Sequence, residues 1–161
     1  MKPVWTFTNK TQLNKKQFIN YIERKVFRTI RKYNLLPKDK TITLKKTNSI
    51  NTQVLKKIIE TKFPVKLTAN SQKLTTSAAN QSQIAEDIFK KILKGNFKKS
   101  PNKETPLQYI SDKETELYAK LKNIKGVKRK QDKKIQTLFK KFLTKNQDLE
   151  LNIIKAQKQI Q

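Results

Sequence analysis

Lysine or arginine fills 38 of the 161 positions, against 12 aspartates and glutamates, for a formal net charge of +26. Any fold must leave nearly all of those cations in water or against a polyanion, because an unpaired buried charge is too costly to keep. Only 35% of the chain is hydrophobic, so the core is modest, and self-repulsion of the charge opposes compaction. Ile, Leu, Val and Phe nevertheless recur at helical spacing and only two glycines are present, which argues for a folded chain. The length suits one domain of ordinary size, and no stretch approaches the roughly 20 apolar residues of a membrane span.

Charge of this size is usually neutralised by nucleic acid, where each phosphate contact releases counterions. An anionic membrane surface normally selects one amphipathic helix with a cationic face, whereas these lysines spread along the whole chain. There is no cysteine and no histidine, which removes disulfides, thiolate chemistry, most zinc sites and the commonest general base. No catalytic residue, cofactor or metal site is therefore expected. Arginine occurs only at Arg24, Arg28, Arg31 and Arg129, and with abundant Asn and Ile this points to an AT-rich coding genome, such as that of an organelle or a reduced microbe. The N-terminus, Met1 to Trp5, has neither an apolar signal core nor the character of a transit peptide.

Periodicity divides the chain into an N-terminal arm (1–14), an α/β domain (15–124) and a basic linker with a helical extension (125–161). In the arm, Trp5 and Phe7 can tuck an extended segment onto the body. Phe18, Ile22, Val26 and Ile30 lie four apart and predict a helix from Lys15, closed by Pro37. A strand is expected over 41–44, then a helix over 51–61 with Val54, Leu55, Ile58 and Ile59 buried. Further strands are expected over 63–69, 73–79 and 106–110. A helix over 81–94 turns Ile84, Ile88, Ile92 and Leu93 inward and ends at Gly95. Asp112 caps a helix reaching Lys122, with Glu114 as an approximate capping-box partner. Two final helices are lined by Ile135, Leu138, Phe139 and Phe142, and by Leu149, Ile153, Ala156 and Ile160. The alternation predicts an α/β fold with a small, mostly parallel sheet, flanking helices and C-terminal helices.

Three stretches resemble the PP-loop ATPases that modify tRNA, especially the tRNA 2-thiolation enzymes: Phe18 to Leu36 with Asp39 and Lys40 before a strand, Lys73 to Asn96, and Thr105 to Ala119, close to that family's Pro-Leu-x-Tyr-x-x-x-Lys-Glu segment. Lysidine synthetases fit the tail from Lys133 to Ile160 about as well. The resemblance implies a shrunken domain of the adenine nucleotide alpha hydrolase type. It also implies a pyrophosphate cradle, Ser-Gly-Gly-x-Asp-Ser, after the first strand. This chain departs there: Thr47 to Thr52 holds no glycine and carries Ile50 in the turn. The Gly-His-Asn turn and the two following aspartates fall near Ser77 to Ser82, where His and Asp are absent, and the family's sulfur-handling cysteines are missing. Nucleotide hydrolysis is not expected.

The best RNA contacts are expected in the basic segments 94–103 and 125–134 and on the first helix. They comprise Arg24, Arg28, Arg31, Lys98, Lys99, Lys103, Lys125, Lys128, Arg129, Lys130, Lys133 and Lys134. Such contacts position RNA and do not read its sequence. Lys45, Lys46 and Asn48 read more simply as a solvated turn than as a phosphate site. Glu86, Asp87, Glu114 and Glu116 read as surface charge. Trp5, Tyr21, Tyr33, Tyr109 and Tyr118 are candidates for stacking on unpaired bases, with core packing preferred for Tyr21, Tyr109 and Tyr118. The expected function is a non-catalytic RNA-binding protein. A structural component of a ribosome, contacting rRNA and neighbouring ribosomal proteins, is preferred. A tRNA-binding subunit beside an active PP-loop enzyme is the alternative. Mitochondrial or other organellar location is expected on codon bias, with the cytoplasm as the alternative.

Overall fold

The computed structural model describes residues 2–96, 98 and 103–159. The expected α/β class is what it shows: among the described residues there are six α-helices and two small two-stranded sheets. The arm is a short hairpin, β1 (Trp5–Thr6) antiparallel to β2 (Gln12–Leu13), and its Trp5 ring packs 5.4 Å from Phe18. Helix α1 (Lys15–Lys32) starts at a capping box in which Asn14 and Gln17 exchange side-chain-to-amide hydrogen bonds. Its stripe of Phe18, Ile22, Val26 and Ile30 is buried, as the spacing predicts. The helix stops well before Pro37. Asn34 adopts a left-handed φ of 48°, and the Leu35 amide reaches back to the Ile30 carbonyl, closing a Schellman turn.

Strand β3 (Ile42–Lys45) leads through α2 (Ile50–Ile59) to β4 (Val65–Thr68), which lies parallel to it with Ile42 opposite Val65 and Lys45 opposite Thr68. This is a βαβ unit, and the crossover buries Val54, Leu55, Ile58 and Ile59 completely. The strand expected over 73–79 does not form a ladder. A short 3-10 turn (Ser71–Lys73) leads into an extended segment tied to β3 by the Thr75 amide, which donates to the Thr43 carbonyl, and by the Thr75 hydroxyl, which accepts from the Thr43 amide. The strand expected over 106–110 is instead a pair of turns, Gln108 amide to Thr105 carbonyl and Ile110 amide to Leu107 carbonyl. Leu107 and Ile110 still reach the core. Burial, not strand pairing, explains their hydrophobicity.

Helix α3 (Gln81–Leu93) is capped by Asn80 and closed by Gly95 at φ 71° in a second Schellman turn. Helix α4 (Asp112–Leu121) is capped by Ser111, one residue before the expected Asp112, with a full capping box to Glu114, and Asn123 closes its other end at φ 55°. Two of these three left-handed positions are thus filled by Asn in a glycine-poor chain. Helices α5 (Lys133–Leu143) and α6 (Leu149–Gln159) complete the chain.

The apolar interior falls into two clusters. One joins α1, α2, α4 and the β3–β4 pair; the other joins Ile84, Ala85 and Ile88 of α3 with Ile135, Phe139 and Ile154 of the C-terminal helices. Not all expected core positions are inside. Ile92, Leu93, Leu138, Phe142 and Ala156 are exposed, Leu93 at 64%, and Ile160 lies outside the described residues.

Candidate nucleic-acid interface

In a βαβ unit the turn after the first strand and the N-terminus of the following helix point amide donors at a common spot, where an anion would bind. Here that spot is closed by the chain itself. Segment 126–128 runs beside the turn in a parallel bridge between Ser49 and Val127. The Val127 amide donates to the Asn48 carbonyl at 2.7 Å, and the Ile50 amide donates to the Val127 carbonyl at 2.9 Å. Gly126 permits this approach, since a Cβ at that residue would stand 3.0 Å from both the Ile50 nitrogen and its Cα. The Thr52 amide is taken by the Ser49 hydroxyl, and the Thr47, Ser49 and Thr52 hydroxyls bond to one another within 2.8–3.2 Å. A phosphate arriving here meets a carbonyl oxygen and saturated hydroxyls.

A second polar cluster joins α3, α4 and the 125–132 linker. Glu86, expected on the surface, is 2% exposed. It accepts hydrogen bonds from Lys90, Arg129, Gln136 and the Asp132 amide. Burial alone would raise the Glu86 pKa, but these four donors outweigh it and hold the carboxyl at about 2. Asp112 takes the other side of the Arg129 guanidinium at 2.8–3.1 Å and also accepts from Asn80. Arg129 is only 13% exposed, and its charge is engaged by two carboxylates within the fold. Beside this cluster, the Ser82 hydroxyl donates to Glu150 and accepts from the Asp112 amide, linking α3 to α4 and α6. Glu114, also expected on the surface, is buried and accepts from Tyr21, Lys25 and the Ser111 amide.

The remaining expected RNA contacts divide clearly. Lys98, Lys103, Lys125, Lys130, Lys133 and Lys134 are exposed; Lys128 is exposed but paired with Glu116 at 2.7 Å; Lys99 lies outside the described residues. Arg24, Arg28 and Arg31 are all exposed on one side of α1, and among the described residues no carboxylate lies within ion-pair distance of them. The aromatic candidates are packed. Trp5 and Tyr21 join Phe7 and Phe18 in one cluster, Tyr118 is fully buried on Glu23, and Tyr33 stacks and hydrogen-bonds with Tyr109. The linker's inward-facing role escaped the sequence reading. The signal available for it was Gly126, one of two glycines, set within a run of lysines.

These features define an α/β fold: a parallel βαβ unit of β3, α2 and β4 accompanied by further helices and an N-terminal hairpin. Among solved structures it is similar to the U34-tRNA thiolase NcsA from Methanococcus maripaludis, described with its [4Fe-4S] cluster, at a TM-score of 0.76. The match spans 99% of this chain and 84% of that one at 10% sequence identity, which establishes the fold alone. No family model matches the sequence, and no curated protein matches it. A cluster of that kind does not fit this chain, which has no cysteine thiolate to hold one. A pyrophosphate does not fit the α2 N-terminus as folded, since the Ile50 amide is committed to Val127.

Proposed function

We propose that the chain is a non-catalytic RNA-binding protein, a degenerate relative of the PP-loop tRNA-modifying enzymes that kept affinity for RNA. The observation that carries this reading is the unneutralised cationic surface: a net charge of +26, with exposed Arg24, Arg28 and Arg31 left without acidic partners among the described residues. Phosphate contact and counterion release are the physical sink for such charge. The self-closed α2 N-terminus supports the absence of nucleotide chemistry. The fold shared with a tRNA thiolase favours tRNA as the ligand, held for a catalytic partner. A permanent place in a ribosome rests on charge and size alone.

The test is fluorescence anisotropy of purified protein against tRNA at rising salt, with ATP titrated separately by calorimetry. The reading expects salt-sensitive tRNA binding with a log–log slope of several units, and no ATP heat. Saturable ATP binding, or tRNA affinity indifferent to salt, would remove it.

A further inference from the structure

The four arginines of a lysine-dominated chain are not scattered. Arg129 is locked between Glu86 and Asp112, and the other three stand together on α1. Spacings of four and three residues place Arg24, Arg28 and Arg31 within about 60° of the helix circumference and over about 10 Å of its length. Gln17 and Asn20 continue the same stripe towards the N-terminus, so an exposed band of α1 is polar throughout and carries no acid. The opposite face is fixed to the interior by Phe18, Ile22, Val26 and Ile30, each no more than 3% exposed. The guanidinium groups therefore hang from a rigid rail at set spacing. Guanidinium binds phosphate through paired donors where ammonium acts as a point charge, so the clustering of arginine here, amid lysine elsewhere, fits oriented phosphate contact.

Recognition of unpaired bases needs open aromatic faces beside the cations. This surface lacks them. Every Trp and Tyr is at least partly buried, and among the described residues the exposed aromatic is Phe142, on α5. Duplex RNA, by contrast, is held by shape through phosphates and 2′-hydroxyls. Asn20, exposed on the same stripe, brings an amide able to donate to and accept from a 2′-hydroxyl.

We infer that the α1 stripe of Arg24, Arg28 and Arg31 docks on the backbone of double-helical RNA, not on single strands. This rests on the RNA-binding reading above and specifies the form of RNA that the chain holds. The experiment uses full-length protein and three labelled probes: an RNA duplex, a DNA duplex of the same sequence, and oligo-U matched in phosphate number. Wild type is compared with the triple variants Arg24→Ala/Arg28→Ala/Arg31→Ala and Arg24→Lys/Arg28→Lys/Arg31→Lys, after circular dichroism shows each to be folded.

Wild type is expected to bind the RNA duplex at least tenfold tighter than oligo-U and tighter than DNA. The alanine variant should lower the slope of log affinity against log salt by about 2 to 3, since each lost phosphate contact removes roughly 0.9. The lysine variant should keep most of the slope yet bind more weakly. Equal affinity for oligo-U, or an unchanged slope in the alanine variant, overturns the duplex assignment while leaving RNA binding standing. Failure to bind any of the RNAs overturns the RNA-binding reading itself.

Discussion

Replacing Arg129 with methionine keeps much of the side-chain volume and removes the charge between Glu86 and Asp112. Four contacts of 2.8–3.1 Å are lost, and two carboxylates, 2% and 14% exposed, are left facing each other across the gap. Removing one partner of a buried ion pair typically costs about 3–5 kcal/mol. Glu86 keeps Lys90, Gln136 and the Asp132 amide, so the lower end, about 3 kcal/mol, is expected here. For a chain of this size that corresponds to a fall in Tm of roughly 6–12 °C. The assay is thermal unfolding by circular dichroism near neutral pH, run beside RNA binding of the folded variant. Because Arg129 faces inward, RNA affinity below the melting range should barely change. A Tm within about 2 °C of wild type, combined with a clear loss of RNA affinity, would refute this account and return Arg129 to the RNA surface. The same cluster sets an acid limit. Glu86 titrates at about 2 instead of 4.5, so its contribution is complete above the unfolded value and is lost as pH falls from 4.5 towards 2. That difference amounts to about 3 kcal/mol at 1.36 kcal/mol per pH unit, and the acid sensitivity should shrink in Arg129→Met.

Three further substitutions probe separate parts of the structure. Gly126→Val drives a branched side chain against the Ile50 backbone and should cost about 1–3 kcal/mol, read by denaturant unfolding; wild-type stability would show that segment 126–128 does not sit on α2. Gly95→Ala meets open space but must hold φ 71°, so a loss of about 1–2 kcal/mol is expected, with Gly95→Asn close to wild type; equal losses for both would contradict the backbone argument. Burial pushes the Glu150 carboxyl pKa up from its ordinary value, so its ionised form opposes folding at neutral pH. Glu150→Gln should leave Tm unchanged or raised at neutral pH, with the gain fading as pH falls into the carboxylate range, and a large loss at neutral pH would show that the Ser82 contact needs the charge.

What the sequence disclosed was local. The four-residue spacing from Phe18 to Ile30 and the cluster Val54 to Ile59 located α1 and α2 because a helix records its buried face in nearby residues. Segments 73–79 and 106–110 carried apolar residues that serve burial in turns and an extended edge, and composition alone does not separate that from a strand. The buried acids were hidden for another reason. Glu86 is neutralised by a residue 43 positions away, and Glu114 meets Tyr21 across 93 positions, so no local pattern reports either pairing. On the candidate interface, the exposure of Arg24, Arg28 and Arg31 was legible from the opposite face of their helix. The burial of Arg129 was not, because it depends on three elements meeting.

Identifying the RNA that crosslinks to the chain in its own cell is the most direct test of the proposed tRNA binding. Ultraviolet crosslinking in native lysate, followed by purification of the chain and sequencing of the attached RNA, measures this. Crosslinked reads should be dominated by tRNA and fall in base-paired stems. Reads dominated by ribosomal RNA would contradict the tRNA assignment, and RNA at the level of an uncrosslinked control would contradict the account at its base.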